Sequence, residues 1–194
     1  MNPENKIYTF DGLDATGKST ILNIFKKENI KVINSPPECI KSYRQSFDQG
    51  DLESRFFYYL LGNIWIDKNI LQPSLNSDEE EIILIDRSVL STLAAHELRG
   101  ISEESLEVGF NIAKTFVKPR TSFIIHVETE KRLQRLFKRS NIDEIDRQNI
   151  NFENTMEPTY RKWASRLGWE VLFFDNSDFT PEEAHQKLSE LLSK

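Results

Sequence analysis

The chain has 194 residues, of which 38% are hydrophobic and 29% charged, a composition that supports one folded domain and excludes a disordered chain. Lysine and arginine number 25 against 31 aspartates and glutamates, a formal net charge of -6, which speaks against a protein that holds nucleic acid through a broad basic face. The single cysteine, Cys39, excludes an intrachain disulfide, and no run approaches the roughly 18 apolar residues of a membrane span. No apolar signal core follows Met1, so the expectation is a cytoplasmic protein with neither membrane nor nucleic acid as partner.

In chain order, Lys6-Ile7-Tyr8-Thr9-Phe10 is a short apolar and β-branched run that predicts a first strand. A glycine-bearing turn follows, and then Ile21, Leu22, Ile24 and Phe25 at helical spacing. Ile30 to Ile33 predicts a second strand. Tyr58, Tyr59, Leu60, Leu61, Ile64 and Trp65 form a helical apolar stripe, a pattern more usual in core helices than in binding sites. The acidic run Ser77-Asp78-Glu79-Glu80-Glu81 reads as a solvated turn before a third strand from Ile82 to Ile85. Phe123 to Val127 and Val171 to Phe174 supply a fourth and a fifth. Thr180, Pro181 and Glu183 are an N-cap, a first-turn proline and a capping-box acid, so a last helix is expected from Pro181 to about Leu192. Five strands alternating with helices, the strands apolar on both faces, predict an α/β protein with a parallel sheet covered on both sides, in one domain over 1–194.

Gly12-Leu13-Asp14-Ala15-Thr16-Gly17-Lys18-Ser19-Thr20 matches the phosphate-loop pattern G-x-x-x-x-G-K-[ST] in full. The glycines let the backbone bend and turn N–H groups inward, and the loop opens a helix whose N-terminus favours anions. Lys18 is expected to reach the β- and γ-phosphates of a nucleotide, and the Ser19 hydroxyl to ligate magnesium. Asp86 ends the third strand, at the sheet edge where ligands of open α/β sheets bind. It is a second magnesium candidate, directly or through water, although an acid there also caps a following helix. Arg87 beside it is shaped for bidentate binding of a second phosphate.

These residues resemble the thymidylate kinase family of nucleoside monophosphate kinases. Phe10 through Thr20 is similar to that family's opening, with Asp14 as the acid two places after the first glycine, and Asp86-Arg87-Ser88-Val89-Leu90-Ser91 resembles its Asp-Arg-aromatic-x-x-Ser motif. Arg135, Arg139 and Arg147 fall in a basic stretch similar to its lid, and Phe152 to Tyr160 with Trp163 to the helix after it. The resemblance implies a P-loop NTPase fold, a five-stranded parallel sheet with a mobile lid at about 138–150. It also implies ATP and magnesium as cofactors, a nucleotide as acceptor and a homodimer. Asp14 inherits a catalytic role at the acceptor sugar or the metal. Ala15 stands where some members carry a catalytic arginine, so Arg139 and Arg147 take that task, with Arg135 in reserve.

On the acceptor side the family's Arg-Glu-Pro-Gly-Gly segment is replaced by Ile33-Asn34-Ser35-Pro36-Pro37-Glu38. Arg44 then becomes the candidate for the acceptor phosphate, Tyr59 for base stacking, Asn63 in place of the base-reading arginine, and Thr92 for a polar base contact. Ala95 replaces a residue that crowds the sugar 2′ position. An asparagine both donates and accepts and reads a different edge from an arginine, so thymine is not the obvious ligand. A (deoxy)nucleoside kinase, a kinase of a non-nucleotide small molecule and a nucleotide-binding switch stay open. Asp175-Asn176-Ser177-Asp178 reads either as a loop beside the adenine or as a plain turn, and His96, His126 and His185 lack metal-ligand spacing.

Overall fold

The computed structural model describes residues 6–77, 81–138 and 152–193. Five strands, β1 (Ile7–Asp11), β2 (Lys31–Asn34), β3 (Ile83–Asp86), β4 (Thr121–His126) and β5 (Val171–Asp175), form one sheet in the order β2-β3-β1-β4-β5, and every neighbouring pair is parallel. The expected strands are all present, their ends displaced by a residue or two. The largest shift is at the start of β4, which begins at Thr121, and β3 extends to include Asp86 in register with Phe10.

Successive side chains on a strand point to opposite faces, so Ile124 and Ile125 on β4 enter different cores. On one side Ile124 packs with Phe56, Leu60, Leu93, Tyr160 and Trp163. These come from α4 (Leu52–Ile66), α6 (Val89–Leu98) and α9 (Glu153–Leu167), with α7 (Glu103–Ala113) packed beside them. On the other side Ile125 packs with Ile21, Leu22, Phe25 and Leu188, from α1 (Lys18–Lys27) and α10 (Pro181–Leu192). Each such side chain contributes about 1.5–3 kcal/mol when withdrawn from water. The expected capping box is formed, with Thr180 and Glu183 exchanging hydrogen bonds at the start of α10.

The remaining helices are short. α2 (Glu38–Lys41) and α3 (Arg44–Asp48) follow β2, α5 (Gln72–Leu75) follows a π turn over Asp67–Leu71 at the end of α4, and α8 (Thr129–Phe137) follows β4. The stripe on α4 divides between two faces. Tyr58 and Leu60 are buried, while Phe57, Leu61 and Trp65, spaced by four, are 41%, 52% and 36% exposed. Apart from Lys138, the expected lid at about 138–150 lies outside the described residues, as does Asp78-Glu79-Glu80.

Because all five strands run the same way, the loop after β1, Asp86 on β3, His126 on β4 and Asp175 on β5 share one sheet edge. β1 is the point where the strand order reverses, which makes its C-terminal end the crevice of such sheets.

Candidate active site

The loop after β1 bends through backbone conformations that side chains resist. Gly12 has φ +125°, and a Cβ there would stand 2.2 Å from the Ile125 carbonyl oxygen. Gly17 has φ +91°, and its Cβ would stand 2.6 Å from Asn176 Nδ2. Glycine escapes both penalties. Lys18 opens α1 with its side chain buried and turned into the loop, donating to the Gly12 carbonyl at 2.9 Å, the Leu13 carbonyl at 2.6 Å and Thr16 Oγ1 at 3.3 Å. Burial, and then the neighbouring Arg87 charge, pull its pKa down to about 8 against the opposing pull of Asp14, Asp86 and Asp11. Ser19 and Thr20 lie exposed on the first turn of α1.

Asp86 faces that turn. Its Oδ2 accepts from Ser19 Oγ at 3.3 Å, whereas its Oδ1 is buried without a hydrogen-bond partner. An orphaned carboxylate oxygen beside a hydroxyl suits a hard cation that keeps most of its ligands as water and phosphate. One carboxylate and one hydroxyl are a donor set that fits magnesium, which takes one or two carboxylates, and among the described residues no group of three or more His, Cys, Asp or Glu is arranged around a metal.

Arg87 occupies the left-handed region at φ +69°, and its N–H donates to the Phe10 carbonyl at 3.0 Å. Its guanidinium donates to the Gly12 carbonyl at 3.2 Å and pairs with Asp14, whose charge raises the arginine's pKa further. Behind this pair lies Asp11, which is fully buried. Its carboxylate accepts from Ser88 N at 2.8 Å, Ser88 Oγ at 2.8 Å, Ser91 Oγ at 2.5 Å and Thr9 Oγ1 at 2.9 Å. The two serines of the Asp86–Ser91 motif are therefore the clamps that dock α6 on the end of β1.

A second cluster lies on α3, α4 and α6. Asp48 accepts from the Tyr59 hydroxyl at 2.8 Å and from Arg44 Nε at 3.1 Å, and it forms an ion pair with Arg55 Nε at 3.2 Å. Burial pushes the Tyr59 phenol up to about 12, so it stays a donor. The Arg55 guanidinium lies 5.9 Å from the centre of the Tyr59 ring. Asn63 is 5% exposed and its carboxamide is engaged on both ends. It donates to the Tyr59 carbonyl and to Thr92 Oγ1, both at 2.9 Å, and accepts from Ser35 Oγ at 3.4 Å. Buried His96 shares a 2.8 Å hydrogen bond between Nδ1 and the Thr92 carbonyl, and desolvation lowers its pKa to about 3, so the ring is neutral.

On the opposite flank Asn176 Nδ2 donates to the Thr16 carbonyl at 2.8 Å, and Arg135 donates to the Asn176 and Ser177 carbonyls at 3.1 and 3.2 Å. The segment after β5 is thus pinned to the loop rather than being a plain solvent turn. Arg132, 1% exposed, donates to the Asp14 carbonyl at 3.1 Å and borders a cavity of about 200 Å³ between the loop, β4, α8 and α9.

Of the residues named from sequence, Asp14, Lys18, Ser19, Asp86 and Arg87 meet around the loop. Tyr59, Asn63 and Thr92 meet between α4 and α6, and Arg44 lies exposed at the rim of that second cluster. Arg139 and Arg147 lie outside the described residues. Sequence reasoning passed over Asp11, Asp48, Arg55, Arg132 and the hydroxyl of Tyr160, whereas Asn176 lay in the segment already read as a loop beside the adenine or a turn. For Asp11 a signal existed, an acid ending an apolar strand one place before the loop. For the others no local pattern distinguishes them from ordinary helix and turn residues.

The family model described as "Thymidylate kinase" matches residues 10–188. The chain is 30% identical over 171 residues to the thymidylate kinase of Sulfurihydrogenibium sp., covering 80% of this chain and 81% of that one. It is 26% identical over 173 residues to that of Buchnera aphidicola, covering 81% of each. Among solved structures, thymidylate kinase from Candida albicans superposes with a TM-score of 0.72 at 14% identity, over 97% of this chain and 91% of the other.

Proposed function

Because the chain belongs to the thymidylate kinase family, we propose that it is a magnesium- and ATP-dependent nucleoside monophosphate kinase, transferring a phosphoryl group to the phosphate of a nucleotide acceptor. The observation that carries this reading is the opposition of two cations across one loop glycine. Lys18 and Arg87 both donate to the Gly12 carbonyl, one from the start of α1 and the other from the acceptor side at the end of β3.

Phosphoryl transfer gives a protein little covalent chemistry to assist, so position and charge do most of the work. The backbone N–H groups of Leu13 to Thr20 cradle the donor phosphates. Lys18 reaches the β- and γ-phosphate oxygens from beside the Gly12 carbonyl and stabilises charge as the bond to the leaving oxygen breaks. Ser19 and Asp86 would hold magnesium, which would supply positive charge to the donor phosphates. Arg87 and Arg44 receive the acceptor phosphate, and Asp14 orients Arg87 and faces the acceptor sugar. Arg139 and Arg147 are assigned the remaining equatorial charge, in a lid at about 138–150 that also excludes water as a competing acceptor.

Tyr59 is assigned base stacking, with Asn63 and Thr92 beneath it. The buried, paired Asn63 amide supports a base contact only where a ligand replaces one of its internal partners. We also propose a homodimer, supported by the exposed apolar stripe of Phe57, Leu61 and Trp65 on α4. A cytoplasmic location belongs to the same proposal, and no helix among the described residues is long and apolar enough to cross a membrane.

The test is ATP consumption with magnesium against a panel of nucleosides and of ribo- and deoxyribonucleoside monophosphates, with products identified by mass. Conversion of one monophosphate to its diphosphate is expected and names the base. Phosphorylation of a nucleoside instead would replace the proposal by a nucleoside kinase, and silence across the panel would direct the search to a non-nucleotide acceptor.

A further inference from the structure

Tyr160 stands on α9, far in sequence from the phosphate loop, yet its hydroxyl is the partner of the loop's first glycine. The Gly12 N–H donates to Tyr160 Oη at 3.1 Å, and the same oxygen lies 3.0 Å from Ser91 Oγ. The direction of each bond follows from counting protons. Ser91 has one hydroxyl proton and spends it on the Asp11 carboxylate at 2.5 Å, so at the Tyr160 contact Ser91 can only accept. The chain therefore runs from Gly12 N–H to Tyr160, from Tyr160 O–H to Ser91, and from Ser91 O–H to Asp11. Tyr160 is 1% exposed, Ser91 5% and Asp11 0%, so water does not substitute for any member.

Gly12 is held from its other end as well, where its carbonyl accepts from Lys18 Nζ and Arg87 Nη1. We propose that Tyr160 is a positioning residue for phosphoryl transfer: its hydroxyl, backed by Ser91 and Asp11, fixes Gly12 and thereby the placement of Lys18 and Arg87, the cations of the donor and acceptor sides. Burial and the Asp11 charge push the phenol up to about 12, so it remains a protonated donor throughout the working pH range. Removing the hydroxyl leaves the Gly12 N–H buried without a partner, and a buried unpaired donor costs more than the hydrogen bond it loses. The loop then relaxes toward other conformations, which its glycines permit.

The functional part of this inference rests on the kinase reading above, so the experiment has one arm that needs no activity. Amide hydrogen exchange of the full-length chain is compared between the wild type and Tyr160→Phe, which keeps the ring and deletes only the oxygen. The expected result is exchange at least tenfold faster in the peptide spanning residues 11–20, with unchanged protection in α10 and β5. Unchanged exchange in that peptide, or acceleration spread evenly over the chain, would overturn the proposal. Should Tyr160→Phe not fold, Ser91→Ala breaks the same chain one bond further on and must show the same local pattern.

In the second arm, calorimetric MgATP binding should weaken by about tenfold in Tyr160→Phe. Wild-type affinity in that variant would overturn the role assigned to the hydroxyl. A wild type that binds no MgATP would overturn the kinase reading, and the exchange arm would still decide the structural half.

Discussion

Asp11→Asn isolates the charge that docks α6 on β1, because asparagine keeps the shape of the side chain and removes one acceptor oxygen. Oδ1 receives Ser88 N–H and Ser91 O–H, and Oδ2 receives Ser88 O–H and Thr9 O–H. The amide fits best with its oxygen at the Oδ1 position, because Ser88 N–H cannot reverse whereas the hydroxyls facing the new NH2 group can rotate. Ser88 Oγ already accepts from Leu90 N at 3.1 Å as the N-cap of α6, so its reversal strains the cap. Hydrogen bonds to a charged group contribute about 1.5–3 kcal/mol against about 1 kcal/mol for neutral pairs, so four weakened bonds amount to about 4 kcal/mol. For a chain of this size each kcal/mol lowers the melting temperature by about 2–4 °C, which sets the expected loss at roughly 10 °C. Thermal melts followed by far-ultraviolet circular dichroism measure it. A loss under about 3 °C would refute the claim that Asp11 is the anion at the centre of this network.

Lys18→Ala should lower kcat on the order of a thousandfold, through lost stabilisation of transferring charge, while leaving the melting temperature unchanged or higher because a buried ammonium is removed; steady-state kinetics and a melt together check it. The Lys18 pKa of about 8 lies below its ordinary value, and phosphate favours the charged form. MgATP binding should therefore take up a proton above pH 8 and none near pH 6.5, seen as buffer-dependent binding heat; the same low pKa makes folding stability rise with pH between about 8 and 10.5, where the unfolded chain binds the extra proton. Asp48→Asn should raise the acceptor KM by about tenfold with little change in kcat or in the KM for ATP, because Tyr59, Arg44 and Arg55 lose their common anion. An equal effect on both substrates would place Asp48 outside the acceptor wall.

How much of this was legible beforehand depended on the range of the interactions. The first strand, the loop, α1 and α10 are written in residues a few places apart: an apolar β-branched run, glycines at fixed offsets, and Thr180 three places before Glu183. Local backbone preference and capping act over that same distance, so pattern alone located these elements to within a residue or two. Lys18, Ser19 and Asp86 were legible for a related reason, because a parallel sheet forces the ends of β1 and β3 to one edge.

The α4 stripe could not be divided from sequence into a buried and an exposed face, since Tyr58, Leu61 and Trp65 carry the same kind of apolar signal and only packing against α6 and α7 separates them. Asn63 likewise reads as a free polar side chain until Thr92, Tyr59 and Ser35 surround it. Tyr160, Asp48 and Arg132 act through partners 148, 11 and 118 positions away, and no spacing rule reaches across such gaps. The sequence by itself determined the strand pattern and the phosphate loop, because these follow from periodicity and short-range geometry, and its motifs resembled the family that the family model then matched. Only the tertiary structure decided which hydroxyl satisfies the Gly12 N–H, which acid gathers Arg44 and Arg55 and where each buried charge finds its counterpart, because burial makes an unpaired polar group costly and leaves the choice of partner to whichever segment the fold brings alongside.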